Sequence, residues 1–249
     1  MRDYQHNFSG MHREIYYDEQ SRLRKAAKML EIVRDSLNAD LHQMDVLDVG
    51  CSTGAMCRIL SEHFGSVTGI DIDREAINFA MQNSYEGRIR FQNSDAMATG
   101  FAPESFDVVI CAHIYEHVPD PERMMGEIHR ILRKGGVCYF AAENRLVFRE
   151  GDYGLPFLSI LPRPLANLYI RVAGKAESYY ERLYTIWGLR RLVKDFKLVD
   201  YTALAVHDPE RFFLDDMLPK NSIKQKVASI VVRFFYWLFP NYLWILRKQ

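Results

Sequence analysis

The chain has 249 residues, 48% hydrophobic and 26% charged, an ordinary globular composition with room for one large α/β domain. Thirty-two basic residues balance thirty-two acidic ones, which argues against a surface built to track nucleic acid. Cys51, Cys57, Cys111 and Cys138 lack metal-ligand or disulfide-scaffold spacing, and the opening MRDYQHNFSG lacks the apolar stretch of a secretory signal, so a reducing, cytoplasmic setting is expected.

Residues 18–37 carry Leu23, Ala26, Ala27, Leu30, Val33 and Leu37 at helical spacing, and 1–40 reads as an N-terminal helical cap. The period then changes. Residues 46–49 form a short apolar run ending in Gly50, as a buried parallel strand would, and 55–63 suits a helix. A strand at 66–70 ends in Asp71, and Asp73 caps a helix through Met81. Strands follow at 89–92 and 106–111. Asp120-Pro121 starts a helix that stops at Gly135-Gly136, before a fifth strand at 137–141. Beyond it, 144–184 reads as a proline-containing insertion, 185–195 as a helix and 197–206 as a strand. A second insertion, 207–240, carries an apolar helix at 223–239 before a last short strand at 242–246. This alternation predicts a mostly parallel sheet within one domain spanning 1–249.

In such sheets ligands bind beyond the carboxyl ends of the strands. The first such end is VLDVGCSTG, where Gly50 and Gly54 allow a tight turn and a close backbone approach. Asp71 follows at the next strand end, where a carboxylate can accept both hydroxyls of a ribose. A dinucleotide GxGxxG loop fails at Ser52 and Cys57, and the GK[ST] of a Walker loop is missing. What remains is a loop for an adenosyl ligand without phosphates.

VLDVGCSTG, VTGIDID, NSDAM and FDVVICAHIYEHVPDPERMMGEIHRILRKGG occur in order, and over residues 40–142 the chain resembles class I S-adenosylmethionine-dependent methyltransferases. The resemblance points to their ubiquinone/menaquinone-type and glycan-modifying group. It implies a Rossmann-like seven-stranded sheet with helices on both faces, a last antiparallel strand, and insertions after strands five and six. It implies S-adenosyl-L-methionine as cofactor. Asp48, Gly50, Cys51, Ser52 and Gly54 would shape the pocket and meet the methionyl end. Asp71 would hold the ribose with Ile72 against the adenine, Asp95 accept from the adenine amino group with Ala96 beside it, and Cys111 count among the cofactor-binding residues. Cys51 and Cys111 read as small packing residues rather than nucleophiles. Ser52 stands where the family's usual loop has glycine, which keeps a non-catalytic binding or scaffold protein as the alternative.

Methyl transfer from a sulfonium asks mainly for positioning, plus a base when the acceptor must lose a proton. His113, Tyr115 and His117, just past the fourth strand, are the catalytic candidates. His12, Tyr16 and Tyr17 are weaker candidates for closing over the cofactor. CAHIYEH in place of an (N/D)PP(Y/F) motif favours oxygen or carbon over nitrogen as acceptor atom. The insertion 144–184 would form an acceptor lid. Segments 155–172 and 223–239 are apolar and basic, which suits a small hydrophobic or lipid-linked acceptor, such as a glycan-lipid or quinone precursor, and peripheral contact with the inner face of a membrane. For 223–239 the competing partners are the core or a second subunit, giving an oligomer.

Overall fold

A computed structural model describes Tyr4, residues 19–83 and residues 89–249. The seven strands are β1 (Asp45–Val49), β2 (Ser66–Asp71), β3 (Ile89–Asn93), β4 (Phe106–Ala112), β5 (Leu132–Glu143), β6 (Lys197–Asp200) and β7 (Asn241–Arg247). They form one sheet in the order β3-β2-β1-β4-β5-β7-β6, parallel except that β7 runs antiparallel to β5 and β6. The strand order reverses direction between β1 and β4, so the crevice for a ligand lies at the carboxyl end of β1.

Helices cover both faces. Helix α1 (Glu19–Leu37), α2 (Ala55–Ser61) and α3 (Arg74–Gln82) lie on one side. There Met29, Leu30, Ile32 and Val33 meet Leu60, Ile77, Val46 and Val67. Helix α4 (Pro121–Ile131) covers the other side, its Met124, Met125, Ile128 and Ile131 fully enclosed against Leu47, Val109 and Phe140. Both faces of β1 and β4 are therefore buried, which is why these strands are mainly apolar, with Asp48 the one acid enclosed between them.

Between β5 and β6, residues 144–184 leave the sheet. They contain α5 (Arg163–Val172) and a small core of their own: Tyr153, Leu158, Ala166, Ile170 and Tyr179. The chain rejoins the domain where Tyr184 bridges Asn144, ahead of α6 (Ile186–Leu192). The strand expected at 197–206 is shorter. Asp200 accepts the Thr202 N–H at 2.8 Å, and α7 (Thr202–His207) buries Thr202, Ala205 and Val206 instead of extending the sheet. The helix expected at 223–239 is α8 (Ile223–Phe234) followed by a 3-10 turn, Tyr236–Leu238. Pro240 disfavours helical backbone at Phe239, and Asn144 holds the carbonyls of Trp237 and Phe239. No helix among the described residues is long and apolar enough to cross a membrane.

One ion pair fixes the loop after β3. Glu127 accepts the N–H and hydroxyl of Thr99, at 2.8 and 2.6 Å, and pairs with Arg130. The Arg130 hydrogen bonds, aided by Thr99 and opposed by burial, hold its carboxyl down at about 2. A depressed pKa contributes stability that is complete above the unfolded value of 4.5 and is lost as pH falls through about 2. Glu127→Gln is therefore expected to unfold at lower urea than wild type at pH 7, the gap narrowing as pH falls from 4.5 towards 2.

Candidate active site

The β1–α2 loop alternates in hand, with Gly50 at φ +76°, Ser52 at +49° and Gly54 at +75°. The N–H groups of Gly50 and Cys51 both donate to Ile70 O on β2, and Gly54 N–H closes a turn onto Cys51 O. The loop is latched to the end of β2. Asp71 Oδ2 accepts the Ser52 N–H at 2.8 Å, and Oδ1 accepts the Asp73 N–H at 2.9 Å. Burial raises the Asp71 carboxyl, while these two hydrogen bonds pull it back towards the charged form. A carboxylate has about four lone-pair sites, so two remain for a diol.

Asp48 lies 5% exposed beneath the loop. Burial pushes its carboxyl up to about 7, offset in part by a 3.4 Å hydrogen bond from the Cys57 thiol and reinforced by the charge of Asp71. Ser52 Oγ is buried with no hydrogen-bond partner among the described residues. A hydroxyl orphaned beside two positive-φ glycines and an anchored carboxylate fits a polar ligand with ribose hydroxyls, the shape of an adenosyl group. Cys51 is 4% exposed in the loop's base, and Ile72, half-buried, presents its carbonyl to Asn93 Nδ2. Asp95 accepts the Tyr4 hydroxyl and, at 2.6 Å, the Met97 N–H on the same oxygen, beside half-buried Ala96. Tyr4, Asp95, Met97 and Arg182 help line a cavity of about 540 Å³. His12, Tyr16 and Tyr17 lie outside the described residues.

Two expectations need correction. Cys111 is fully enclosed in β4, where it packs with Val49 and Phe140 and offers no surface to a ligand. Tyr115 is likewise fully buried. Its hydroxyl donates to Glu143 O at 2.7 Å and accepts the Tyr184 N–H at 3.0 Å, so it ties the end of the insertion 144–184 to β5 and is spent as a catalytic group.

His113 and His117 differ in surroundings. His113 adopts φ +57°, a strained conformation for a side-chain-bearing residue. Its ring is half exposed, with Nδ1 3.7 Å from Glu116 Oε1. Ile114 follows under the β1–α2 loop, where a Cβ on Gly50 would meet its Cδ1 at 2.2 Å. His117 instead sits among acids that the sequence analysis did not single out. Its Nε2 lies 3.7 Å from Asp152 and its Nδ1 3.9 Å from Glu181. Burial raises Glu143 to about 8, Asp152 to about 9 and Glu181 to about 7, the neighbouring carboxylates adding to each shift. No spacing rule points to this group, which converges from separate segments of the chain.

Residues 47–140 match the family model described as a methyltransferase domain. With the strand order above, this stretch is similar to a class I, S-adenosylmethionine-dependent methyltransferase domain. The ubiquinone biosynthesis O-methyltransferase of Pseudomonas syringae pv. tomato is 34% identical over 110 residues, which are 43% of this chain and 47% of that protein. The chain thus spans about half the length of that relative. A solved S-adenosylmethionine-dependent methyltransferase from Methanosarcina mazei superposes with a TM-score of 0.55 at 21% identity, covering 87% of this chain and 96% of that one. A solved [4+2]-cyclase superposes with a TM-score of 0.54 at 19% identity, covering 89% and 81%.

Proposed function

We propose that the chain is an S-adenosylmethionine-dependent methyltransferase that methylates an oxygen of a small, hydrophobic or lipid-linked acceptor. The observation that carries this reading is the latch between Ser52 and Asp71, which holds a left-handed loop, an orphan hydroxyl and a half-satisfied carboxylate together at the switch point. When bound, S-adenosylmethionine supplies a methyl group already activated on sulfur, so the protein's task is alignment.

In this reading Asp71 accepts the ribose hydroxyls on its two remaining lone pairs, and Ser52 Oγ gains a partner. Asp48, Gly50, Cys51 and Gly54 form the floor and turn beneath the methionyl end. Ile72 and Ala96 flank the adenine, whose amino group donates to the second oxygen of Asp95. His113 is the base: its Nδ1 faces Glu116, leaving Nε2 to take the acceptor's hydroxyl proton. S-adenosylmethionine held by these residues would supply the methyl group to the acceptor oxygen and be left as S-adenosylhomocysteine. The proton stays on an imidazolium steadied by Glu116.

The P. syringae relative supports an oxygen acceptor and a quinone precursor, a glycan-lipid being the other amphiphile of suitable character. Exposed apolar side chains support the greasy part. On and after α8, Ile223, Val227, Ile230, Phe234 and Trp237 are 42–81% exposed, interspersed with Lys224, Lys226 and Arg233. This surface suits peripheral contact with an anionic membrane. The test is label transfer from S-adenosylmethionine to a polyprenylated catechol in micelles. Wild type is expected to form the methyl ether, and His113→Ala to lose at least about 100-fold in kcat. Cofactor binding without transfer to any hydroxylated amphiphile would favour the non-catalytic reading. Flotation with anionic liposomes, lost on replacing Phe234, Phe235 and Trp237 by Ser, checks the membrane contact.

A further inference from the structure

We propose that His117, Asp152 and Glu181 form a binding site for one divalent metal cation, on the acceptor side of the domain between the β4–α4 loop and the lid. One ligand atom from each lies within 4.8 Å of the others. They come from three places: the loop after β4, the turn at 150–153, and the extended return of the lid before α6. Local composition cannot bring these together; the fold does.

A group of acids is not in itself a site, but two buried oxygens here are unexplained. Glu181 is 1% exposed, and its Oε2 has no hydrogen-bond partner; its Oε1 has a long 3.3 Å contact from the Tyr153 hydroxyl and lies 3.9 Å from His117 Nδ1. Glu150 is also 1% exposed, with Oε2 accepting the Tyr153 N–H at 2.8 Å and Oε1 left without a partner. Buried polar atoms are almost always satisfied, so such a pair calls for a missing positive partner.

The charge balance points the same way. Glu143, Glu150, Asp152 and Glu181 repel one another, with Glu116 adding to the group. Among the described residues, no lysine or arginine pairs with Glu143, Glu150, Asp152 or Glu181. Three arginines of the insertion are turned elsewhere. Arg145 donates to Ser159 O, Arg149 to Gly154 O, and Arg163 to the carbonyls of Tyr179, Tyr180 and Glu181. Removing several carboxylates from water beside one another, without a cation, is strongly unfavourable. A divalent ion answers the repulsion and the orphan oxygen of Glu181.

One imidazole nitrogen with carboxylate oxygens is an N/O donor set that suits Mn²⁺, Fe²⁺ or Zn²⁺; the soft thiols are all buried elsewhere. Ligand distances near 2.0–2.2 Å need the donors to draw in by some tenths of an ångström. The second shell is in place, with Glu150 and Tyr153 against the ligands. The side chains of His117 and Asp152 are 19% and 25% exposed, leaving an open side for an outside oxygen. Resting on the methyltransferase reading, the ion's task would be to hold the acceptor hydroxyl and lower its pKa for His113.

Mn²⁺ binding to the full chain, followed by the loss of the free-ion electron paramagnetic resonance signal, tests the site without requiring turnover. Wild type is expected to take up one equivalent and to gain in melting temperature. Asp152→Asn and Glu181→Gln, which preserve shape, should each bind at least tenfold more weakly. In chelator, both should melt at or above wild type, because each removes a buried like charge; circular dichroism confirms that they fold. Asp215→Asn, a surface acid paired with Arg24, should bind as wild type does. No uptake of Mn²⁺, Zn²⁺ or Mg²⁺ by wild type, or equal uptake by both site variants, overturns the proposal. Mn²⁺ binding without methyl transfer would count against the function proposed above and leave the site standing.

Discussion

Asn144→Ala is expected to lower stability by about 3 kcal/mol, among the largest effects of any single polar substitution in the chain. Asn144 has no exposed surface and sits directly after β5, where the lid leaves the sheet. Its side-chain amide donates to the carbonyls of Trp237 and Phe239 and to the Tyr242 hydroxyl, at 2.8, 2.9 and 3.0 Å. Its side-chain oxygen accepts the Leu146 N–H at 3.1 Å. Truncation leaves two buried carbonyls and an N–H without partners, in a place water cannot readily fill. Asn144→Asp should fare no better, because it sets a carboxylate against those carbonyls. Urea denaturation measures the loss. Because the same side chain ties the aromatic turn Tyr236–Leu238 to β5, faster proteolysis near residue 237 should accompany it.

Gly54→Ala is the second large effect, and it acts on the cofactor loop itself. At φ +75° a side-chain-bearing residue is strained, and the added Cβ would stand 2.4 Å from Phe91 Cζ and 3.1 Å from Ala80 Cβ. Stability is expected to fall by about 2 kcal/mol, and affinity for S-adenosylhomocysteine by at least tenfold as the loop shifts. Adding Phe91→Leu separates the causes. The double variant should regain the part due to the ring contact and keep the part due to backbone strain. Full recovery would mean that φ at this position carries no cost.

The sheet was readable in the amino-acid sequence because strands buried on both faces are apolar without alternation and end in Gly50, Asp71 or a helix cap. The β1–α2 loop was readable for the same reason: Gly50 and Gly54, where the backbone turns left-handed, and Asp71, which latches it, follow from a spacing along the chain. Side-chain hydrogen bonds defeated the reading elsewhere. Asp200 ends β6 early by accepting the Thr202 N–H in a local turn, and Asn144 with Pro240 breaks the expected helix 223–239. Tyr115 looked catalytic from its place after β4, yet its two backbone partners lie at positions 143 and 184. The acids around His117 were invisible because positions 143, 150, 152 and 181 meet only through the return path of the lid.

In the function proposed above, the loop latched to Asp71 binds S-adenosylmethionine. Calorimetric titration of wild type and Asp71→Ala with S-adenosylmethionine and S-adenosylhomocysteine tests it most directly. One molecule of either ligand is expected to bind wild type with micromolar affinity. Asp71→Ala should bind at least about 100-fold more weakly, since it loses both the ribose acceptor and the Ser52 latch. Asp71→Asn, which keeps an oxygen for one N–H, should fall between them. Wild-type protein that binds neither ligand, or an Asp71→Ala variant that binds as tightly as wild type, would contradict the claim.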